Sequence, residues 1–549
     1  MKTNLTAFLI LVIVIQVFNI KISSSQIGEL WTHRYNGTGD STDYASSMVV
    51  DISGNVYVTG GSLSSGGANF DCVTIKYNSE GMIQWLQTYN GPGDSADFGN
   101  SIAVDGLGNV YVTGSSFGSG SNSDYVTIKY NSAGVQQWVQ RYNGTGNSSD
   151  NAYAIFIDGS LNVYVTGTSL ESGNNYDGAT IKYNSAGVQQ WVQRYSGPGN
   201  STDSPSSITV DGSGNVFIAG YSIGIGTSLD CLTIKYNSAG VQQWEQRHNG
   251  PGNSADNINS LAVDDSGNVY IAGFRGGSGT GNDCITIKYN TSGVQQWLQT
   301  YNGPGNSNDN ARSLALDASG NVYITGYSAG VSSGADYTTI KYNSSGVQQW
   351  LQTYNGPGNS DEDAYSLVLD ALGNVYITGY SPGSGTDVDY ATIKYNSQGT
   401  QQWLQRYNGP GNSIDDARNV AIDTSGNVYV SGTSIGIASA RDYATIKYSQ
   451  TIGIQTISSE IPSGFSLEQN YPNPFNPVTN IKFSIPKSGV VTLKIFDVSG
   501  REVAQLINEN LSVGSYNYDF NASHLSSGVY FYRISSEGFT DVKKMILVK

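Results

Sequence analysis

The stretch TIKYNSAGVQQW, Thr127–Trp138, returns with small changes down most of the chain, and this recurrence limits the possible folds more than any other feature. TIKY occurs eight times, at Ile75, Ile128, Ile181, Ile234, Ile287, Ile340, Ile393 and Ile446. Seven copies have a Trp eight residues beyond the Tyr; the last has none. The eight tryptophans fall at Trp31, Trp85, Trp138, Trp191, Trp244, Trp297, Trp350 and Trp403, with one gap of 54 residues and six of 53. A fixed period of this length marks one supersecondary unit, stacked so that neighbours bury a shared core.

Each unit contains four short runs rich in Val, Ile, Thr, Tyr and Trp. In the second they are SIAV (Ser101–Val104), VYVTG (Val110–Gly114), YVTIKY (Tyr125–Tyr130) and VQQWVQRY (Val135–Tyr142). Such residues suit strands on packed sheet faces. Between the first two runs lies D-x-x-G-N, from Asp51–Asn55 to Asp423–Asn427, and between the last two N-S-x-G, as in Asn131–Gly134. Both predict hairpin turns with a left-handed Gly, a conformation that a Cβ disfavours. Leu161 stands where the other copies have the first of these glycines, so that turn is expected to differ locally.

Four antiparallel strands per ~50 residues, repeated, describe β-propeller blades. A β-helix needs shorter coils, and a helical solenoid needs a 3.6-residue period that is absent. The motif D-x-x-[GL]-N-V-[YF] occurs eight times, its Asn running from Asn55 to Asn427. The Trp series also has eight members but begins one strand early. The chain is therefore expected to open with a fourth strand (residues 30–35) and close with a third (443–448). Docking one beside the other gives an all-β, eight-bladed propeller of four-stranded blades closed by N-terminal strand pairing, with no exposed sheet edge at the seam.

The motifs D-x-x-G-N-V-Y-[VI]-[TAS]-G and D-[YC]-x-T-I-K-Y-N resemble those of the seven-bladed β-propeller-type (SBBP) repeats, over roughly Trp31–Tyr448. The resemblance implies a propeller; the count here gives eight blades.

The remaining composition narrows location and partners. A formal charge of −16 opposes nucleic-acid binding, which needs a basic face. Lys2, the apolar run Ala7–Phe18 and Ser23–Gln26 follow the plan of a secretory signal, with cleavage expected after Ser25 and no transmembrane segment left behind. The three cysteines, Cys72, Cys231 and Cys284, share one repeat position where other copies have Tyr125, Tyr337, Tyr390 or Tyr443. Equivalent positions in separate repeats do not approach within disulfide reach, so they are read as small apolar substitutes.

After Tyr448 the repeat stops. Residues 449–463 read as a linker, and residues 464–549 as a separate domain with about seven short strands, an immunoglobulin-like β-sandwich. FSLEQNYPNPFNPVTNIKFSIP, VTLKIFDVSGREV, LSSGVYFYRI and the terminal KKMILVK are similar to the C-terminal sorting domain, type A, of the bacterial type IX secretion system. That resemblance implies handling by the type IX machinery and passage through the outer membrane. The product is then secreted or held on the cell surface of a Gram-negative bacterium.

Candidate chemistry is sparse. The loops joining fourth to first strands carry an acid in every copy: Asp43, Asp97, Asp150, Asp203, Asp256, Asp309, Glu362 and Asp415. Gly-rich turns with Asp and Asn can ligate Ca²⁺, but these residues also cap their own turns. Capping is the reading favoured by eightfold recurrence. Asp361, Glu362 and Asp363 form the most acidic copy and the first Ca²⁺ candidate. An Asp ahead of each TIKY, and the TIKY Lys itself, are expected to build a structural belt. The histidines His33, His248 and His524 are scattered, and no catalytic motif appears. No copy stands out by losing its repeat residues to a special set. The expected function is an exported, non-catalytic binding, adhesion or structural module, with a glycan or protein ligand on the loop-rich face. The alternative is a secreted polysaccharide-active hydrolase or lyase, its paired carboxylates hidden among the many acids.

Overall fold

The computed structural model describes residues 27–548 except 39, 64–68, 171–174, 252, 438, 451–453, 459 and 523–524. The expected signal segment and His524 lie outside the described residues. Within them every regular element is a strand. The chain divides into two compact units, residues 26–451 and the part after 451.

The first unit consists of four-stranded antiparallel sheets, one per repeat. They span residues 43–89, 97–142, 150–195, 203–248, 257–301, 309–354 and 363–407. An eighth is built from 415–450 together with the opening strand Ile27–Tyr35. In this last sheet Trp31 lies across from Lys447, the register that sets Trp85 across from Lys76 in the first. Arg34 reaches Asp442 at 2.7 Å, the Ser434 carbonyl at 2.8 Å and the Tyr407 hydroxyl at 3.2 Å. Arg141 makes the same set, to Asp124 and the Ser116 carbonyl of its own second sheet and to the Tyr89 hydroxyl of the first.

Strand position within a sheet follows side-chain chemistry. The second strands, such as Val110–Phe117, are buried almost throughout, as their unbroken apolar and small residues require. The fourth strands, such as Gln136–Tyr142, carry Gln and Arg and stay half exposed, which suits an edge. The first strands of successive sheets touch one another in order, and that of the eighth sheet (Asp415–Ile422) touches that of the first (Asp43–Val50).

The core lies between sheets. Val163, Val165, Ile181 and Tyr183 of the third sheet pack with Tyr111 and Tyr125 of the second. Tyr429 and Tyr443 of the eighth pack in the same way with Val56, Val58 and Tyr77 of the first. Each TIKY Lys lies 4.9–5.2 Å from the ring of the second-strand Tyr or Phe in its own sheet. In seven sheets its Nζ and the Trp Nε1 both donate to one carbonyl in the N-S-x-G turn of the next. Lys129 and Trp138, for example, meet on Ser185 O at 3.2 and 3.3 Å. The last sheet bonds to the first in the same way, with Lys447 and Trp31 on Ser79 O.

The second unit holds two four-stranded antiparallel sheets over one core that includes Phe475, Phe483, Leu493, Tyr532 and Met545. The stretch 449–463, expected as a linker, is in part regular structure. The strand Arg441–Gln450 runs into it, and Ile454–Ser458 pairs with Gly514–Asn521, so local backbone pairing overrode its linker-like composition. The Pro-rich motif at 470–477 binds the final strand Phe539–Leu547. Phe475 N donates to Ile546 O, Val548 N to Phe475 O, and Ile546 N to Asn473 Oδ1, each at 2.9 Å.

Candidate binding site

The recurring acids of the fourth-to-first loops are turn caps. In the seven Asp copies Oδ2 accepts the N–H of the loop Gly six residues earlier, at 2.5–2.7 Å. The seven Asp side chains are fully buried. Burial pushes their pKa values up against those hydrogen bonds. The neighbouring Asn and Asp of these loops bond to each other, as Asn302 Nδ2 does to Asn306 Oδ1 at 2.7 Å. Their oxygens are thereby occupied locally.

Asp361, Glu362 and Asp363 border one hollow but point to different partners. Asp361 Oδ1 accepts Ala335 N at 2.9 Å. Asp363 receives Arg312 through Nε and Nη2, at 3.0 and 2.7 Å on Oδ2. Glu362 replaces the repeat Asp, is fully buried, and neither of its oxygens has a hydrogen bond of normal geometry. Burial pushes its carboxyl up to about 8, with Asp336 and Asp361 adding to the rise and Gly356 N–H and Arg406 opposing it. Among the described residues no group of three His, Cys, Asp or Glu side chains is arranged to hold a metal ion.

The Asp ahead of TIKY pairs with a fourth-strand Arg in five sheets, at Asp124, Asp177, Asp230, Asp389 and Asp442. In the first, fifth and sixth sheets a Thr stands in place of that Arg: Thr88, Thr300 and Thr353. The belt expected from the repeat is thus an ion-pair belt interrupted by sequence. His33 and His248 lie in the outer strands of different sheets, and burial lowers the pKa of both. The three cysteines are buried free thiols, and burial pushes that of Cys72 up to about 12.

The eightfold regularity fails at one place, which corrects the expectation that no copy is special. Every first strand has a β-bulge three residues after its capping acid, and the bulged residue has no register partner. Bulges re-aim side chains and recur beside functional sites. In the first five sheets the bulged residue is Ser46, Asn100, Tyr153, Ser206 or Asn259; in the last three it is Arg312, Tyr365 and Arg418. Asn100 and Asn259 bond to the backbone of the following sheet, at Ala152 O and Ala311 O. The three consecutive large residues, Arg312, Tyr365 and Arg418, form a layered group instead. Arg312 lies 5.4 Å from the Tyr327 ring and 5.5 Å from Tyr365, and Arg418 lies 4.0 Å from the Tyr365 ring. Tyr380 adds a ring 5.8 Å from that of Tyr365. Asp363 and Asp416, one place beyond the capping acids, pair with Arg312 and Arg418.

This arc borders a hollow of about 520 Å³ between the sixth and seventh sheets. A second of about 440 Å³ reaches the eighth sheet and shares Asp361 and Tyr380 with it. The loops around them are Gly- and Ser-rich, as their sequences imply. The aromatic and charged lining comes from the strand ends beneath, which loop composition did not disclose. The signal was present in the sequence as a column: positions 312, 365 and 418 are one repeat apart and depart consecutively from Ser and Asn, whereas Tyr153 does so alone, between Asn100 and Ser206.

Comparison with known proteins agrees with the two units. The family of the beta-propeller repeat matches residues 30–68, 84–120, 190–226, 243–273 and 402–437. The secretion system C-terminal sorting domain matches residues 469–549. No curated protein matches the chain. Among solved structures it is similar to the β-propeller domain of the Trilobed protease from Pyrococcus furiosus, with a TM-score of 0.36 and 8% identity over 63% of this chain and 92% of that one. It is also similar to a fungal alcohol oxidase of the AA5 family in complex with copper, with a TM-score of 0.39 and 11% identity over 96% and 100%. A third is Drosophila Plexin A in complex with Semaphorin 1b, with a TM-score of 0.38 and 8% identity over 77% and 87%. The chain carries SBBP-type β-propeller repeats and a C-terminal sorting domain of type IX secretion, a combination that marks an exported propeller protein, secreted or on the cell surface.

Proposed function

We propose that this protein is a non-catalytic binding module whose eight sheets close into one eight-bladed ring, with its ligand held by the arc on the sixth, seventh and eighth blades. Residues 1–25 act as its export signal, and the C-terminal unit, an immunoglobulin-like sandwich, delivers it through the outer membrane to the cell surface or the medium. Closure is supported by the Ile27–Tyr35 strand completing the last sheet and by the bonds from Lys447 and Trp31 to Ser79. The binding reading is carried by one observation: the bulge column turns to Arg312, Tyr365 and Arg418 on three adjacent sheets, beside the two hollows. Convergent aromatic and charged groups in a concave site are the usual mark of a binding locus.

The test is adsorption of the purified mature protein to a panel of insoluble polysaccharides and protein-coated surfaces, with and without Ca²⁺ and with a chelator. Retention on at least one surface, with no release of reducing ends, is expected. No retention anywhere would overturn the reading. Loss of retention with chelator, reproduced by Asp361→Asn, would assign a cation to the Asp361, Glu362 and Asp363 copy. One observation favours the competing enzyme: the Glu362 carboxyl, raised by burial to about 8, borders the same hollow as Asp361 and Asp363, the pairing of acids that general acid–base chemistry needs. Shortening of polymer chains, abolished by Glu362→Gln, would establish it.

A further inference from the structure

We propose that the arc on the sixth to eighth sheets takes a neutral oligosaccharide chain. The inference rests on the binding-module reading above and adds the chemistry of the ligand. Tyr327, Arg312, Tyr365 and Arg418 form alternating planes of phenol and guanidinium, at 5.4, 5.5 and 4.0 Å. Planes of this kind suit ligands that present both an apolar face and a polar rim, as a pyranose ring does with its C–H face and its hydroxyls.

Charge decides between neutral and anionic sugars. Each arginine already has a carboxylate, Arg312 with Asp363 and Arg418 with Asp416. At Arg312 an anionic ligand would have to displace the buried Asp363; at the exposed Arg418 it would meet the partly buried Asp416 and lie near the exposed Asp361 and Asp387. Breaking a buried charge pair is costly, because it strands the partner that remains. A neutral ligand meets no such obstacle and finds ready donors. Arg312 Nη1 and the Tyr365 and Tyr380 hydroxyls take no hydrogen-bond partner within the described residues. Hydroxyl groups of a sugar can satisfy them, and a site built to bond hydroxyls rejects ligands that lack them.

The space favours a chain over a single ring. The hollows of about 520 and 440 Å³ share Asp361 and Tyr380, so one occupant can run from the sixth sheet to the eighth. Each is already within the size range of about 300–1,000 Å³ for a small-molecule pocket.

The experiment is isothermal titration calorimetry of the mature full-length protein with cellohexaose, xylohexaose, mannohexaose and chitohexaose, and with hexagalacturonate as the anionic probe. At least one neutral hexaose is expected to bind, its disaccharide at least about tenfold more weakly. Tyr365→Ala and Tyr380→Ala should each reduce that affinity about tenfold or more. Tyr380→Phe, which keeps the ring, should lose less, and Tyr153→Ala at the bulge of the third sheet should change nothing. Unchanged melting temperatures check the fold, and Tyr380→Phe serves if an alanine variant fails to fold. Binding of hexagalacturonate in preference to every neutral hexaose overturns the neutral ligand. Neutral binding that ignores the arc variants overturns the site. Adsorption to polymers or proteins without binding of any of these hexaoses also overturns the ligand class, while leaving the binding module intact. Only the loss of adsorption as well would remove both.

Discussion

Two residues break the repeat in ways that have measurable consequences. Leu161 was expected to alter its turn, but the turn is kept. Leu161 takes φ 62°, its N–H bonds to Asp158 O at 2.9 Å, and Asp158 caps Ser160 N, Asn162 N and Asn162 Nδ2 as in the other copies. The side-chain caps hold the geometry, and the misfit is stored as backbone strain. A left-handed residue with a Cβ costs about 1–2 kcal/mol, so Leu161→Gly should stabilise the protein by roughly 1 kcal/mol. Denaturant unfolding of the two forms checks this; no gain would mean the strain is absent. Glu362 is the second residue. Burial raises its carboxyl in the fold to about 8 from the ordinary 4.5 of a glutamate, so its protonated form is the one the fold favours. Its contribution is fully present below about pH 4.5 and is lost as pH rises through about 8. The stability of Glu362→Gln relative to the native protein should therefore climb across that window, read from melting temperatures at each pH. A flat difference would show that Glu362 is not raised.

At the scale of elements, the N-S-x-G turn joins neighbouring sheets as well as neighbouring strands. Gly240 has φ 83°, and a Cβ there would stand 2.9 Å from Trp191 of the preceding sheet. Gly240→Ala should cost at least about 1–2 kcal/mol from the backbone alone, with a further loss as Trp191 shifts; Trp fluorescence and unfolding would report both. The TIKY Lys contributes a ring contact and a hydrogen bond to the next sheet. Lys288→Met should cost about 1–2 kcal/mol by removing both, measured by the same unfolding. Trp403 shows why the repeat is not uniform. The eighth sheet has no N-S-x-G turn, so Trp403 instead packs with Ile27 and Tyr448 and becomes 5% exposed.

For the whole molecule, the opening strand is the decisive piece. Deleting residues 27–35 removes a quarter of the last sheet, exposes the strand Arg441–Gln450 as an edge, and takes Arg34 from Asp442 and Tyr407. Unfolding should lose its cooperativity and the protein should self-associate; a deletion variant that unfolds like the full chain would refute ring closure. Arg34→Ala alone should cost roughly 1.5–3 kcal/mol, since its bonds are charge-assisted. In the C-terminal unit, Phe475 is buried and links the Pro-rich motif to the last strand. Phe475→Ala should cost about 3–5 kcal/mol and reduce surface delivery, followed by cell fractionation.

The sequence by itself determined the number of strands per repeat, their order, both hairpin turns, the early start of the Trp series and the motifs of the sorting domain. These are properties of contiguous residues: alternation, turn chemistry and spacing act within one hairpin. Tertiary structure alone decided which groups meet between sheets. The partner of the TIKY Lys is a carbonyl 56 residues away in the next turn, as with Lys129 and Ser185, and nothing in either segment marks it. The site was legible only in part for the same reason. Arg312, Tyr365 and Arg418 sit in three different repeats, and each alone is an ordinary surface residue. A bulge in each first strand and the side-by-side arrangement of adjacent sheets turn that column into one layered surface.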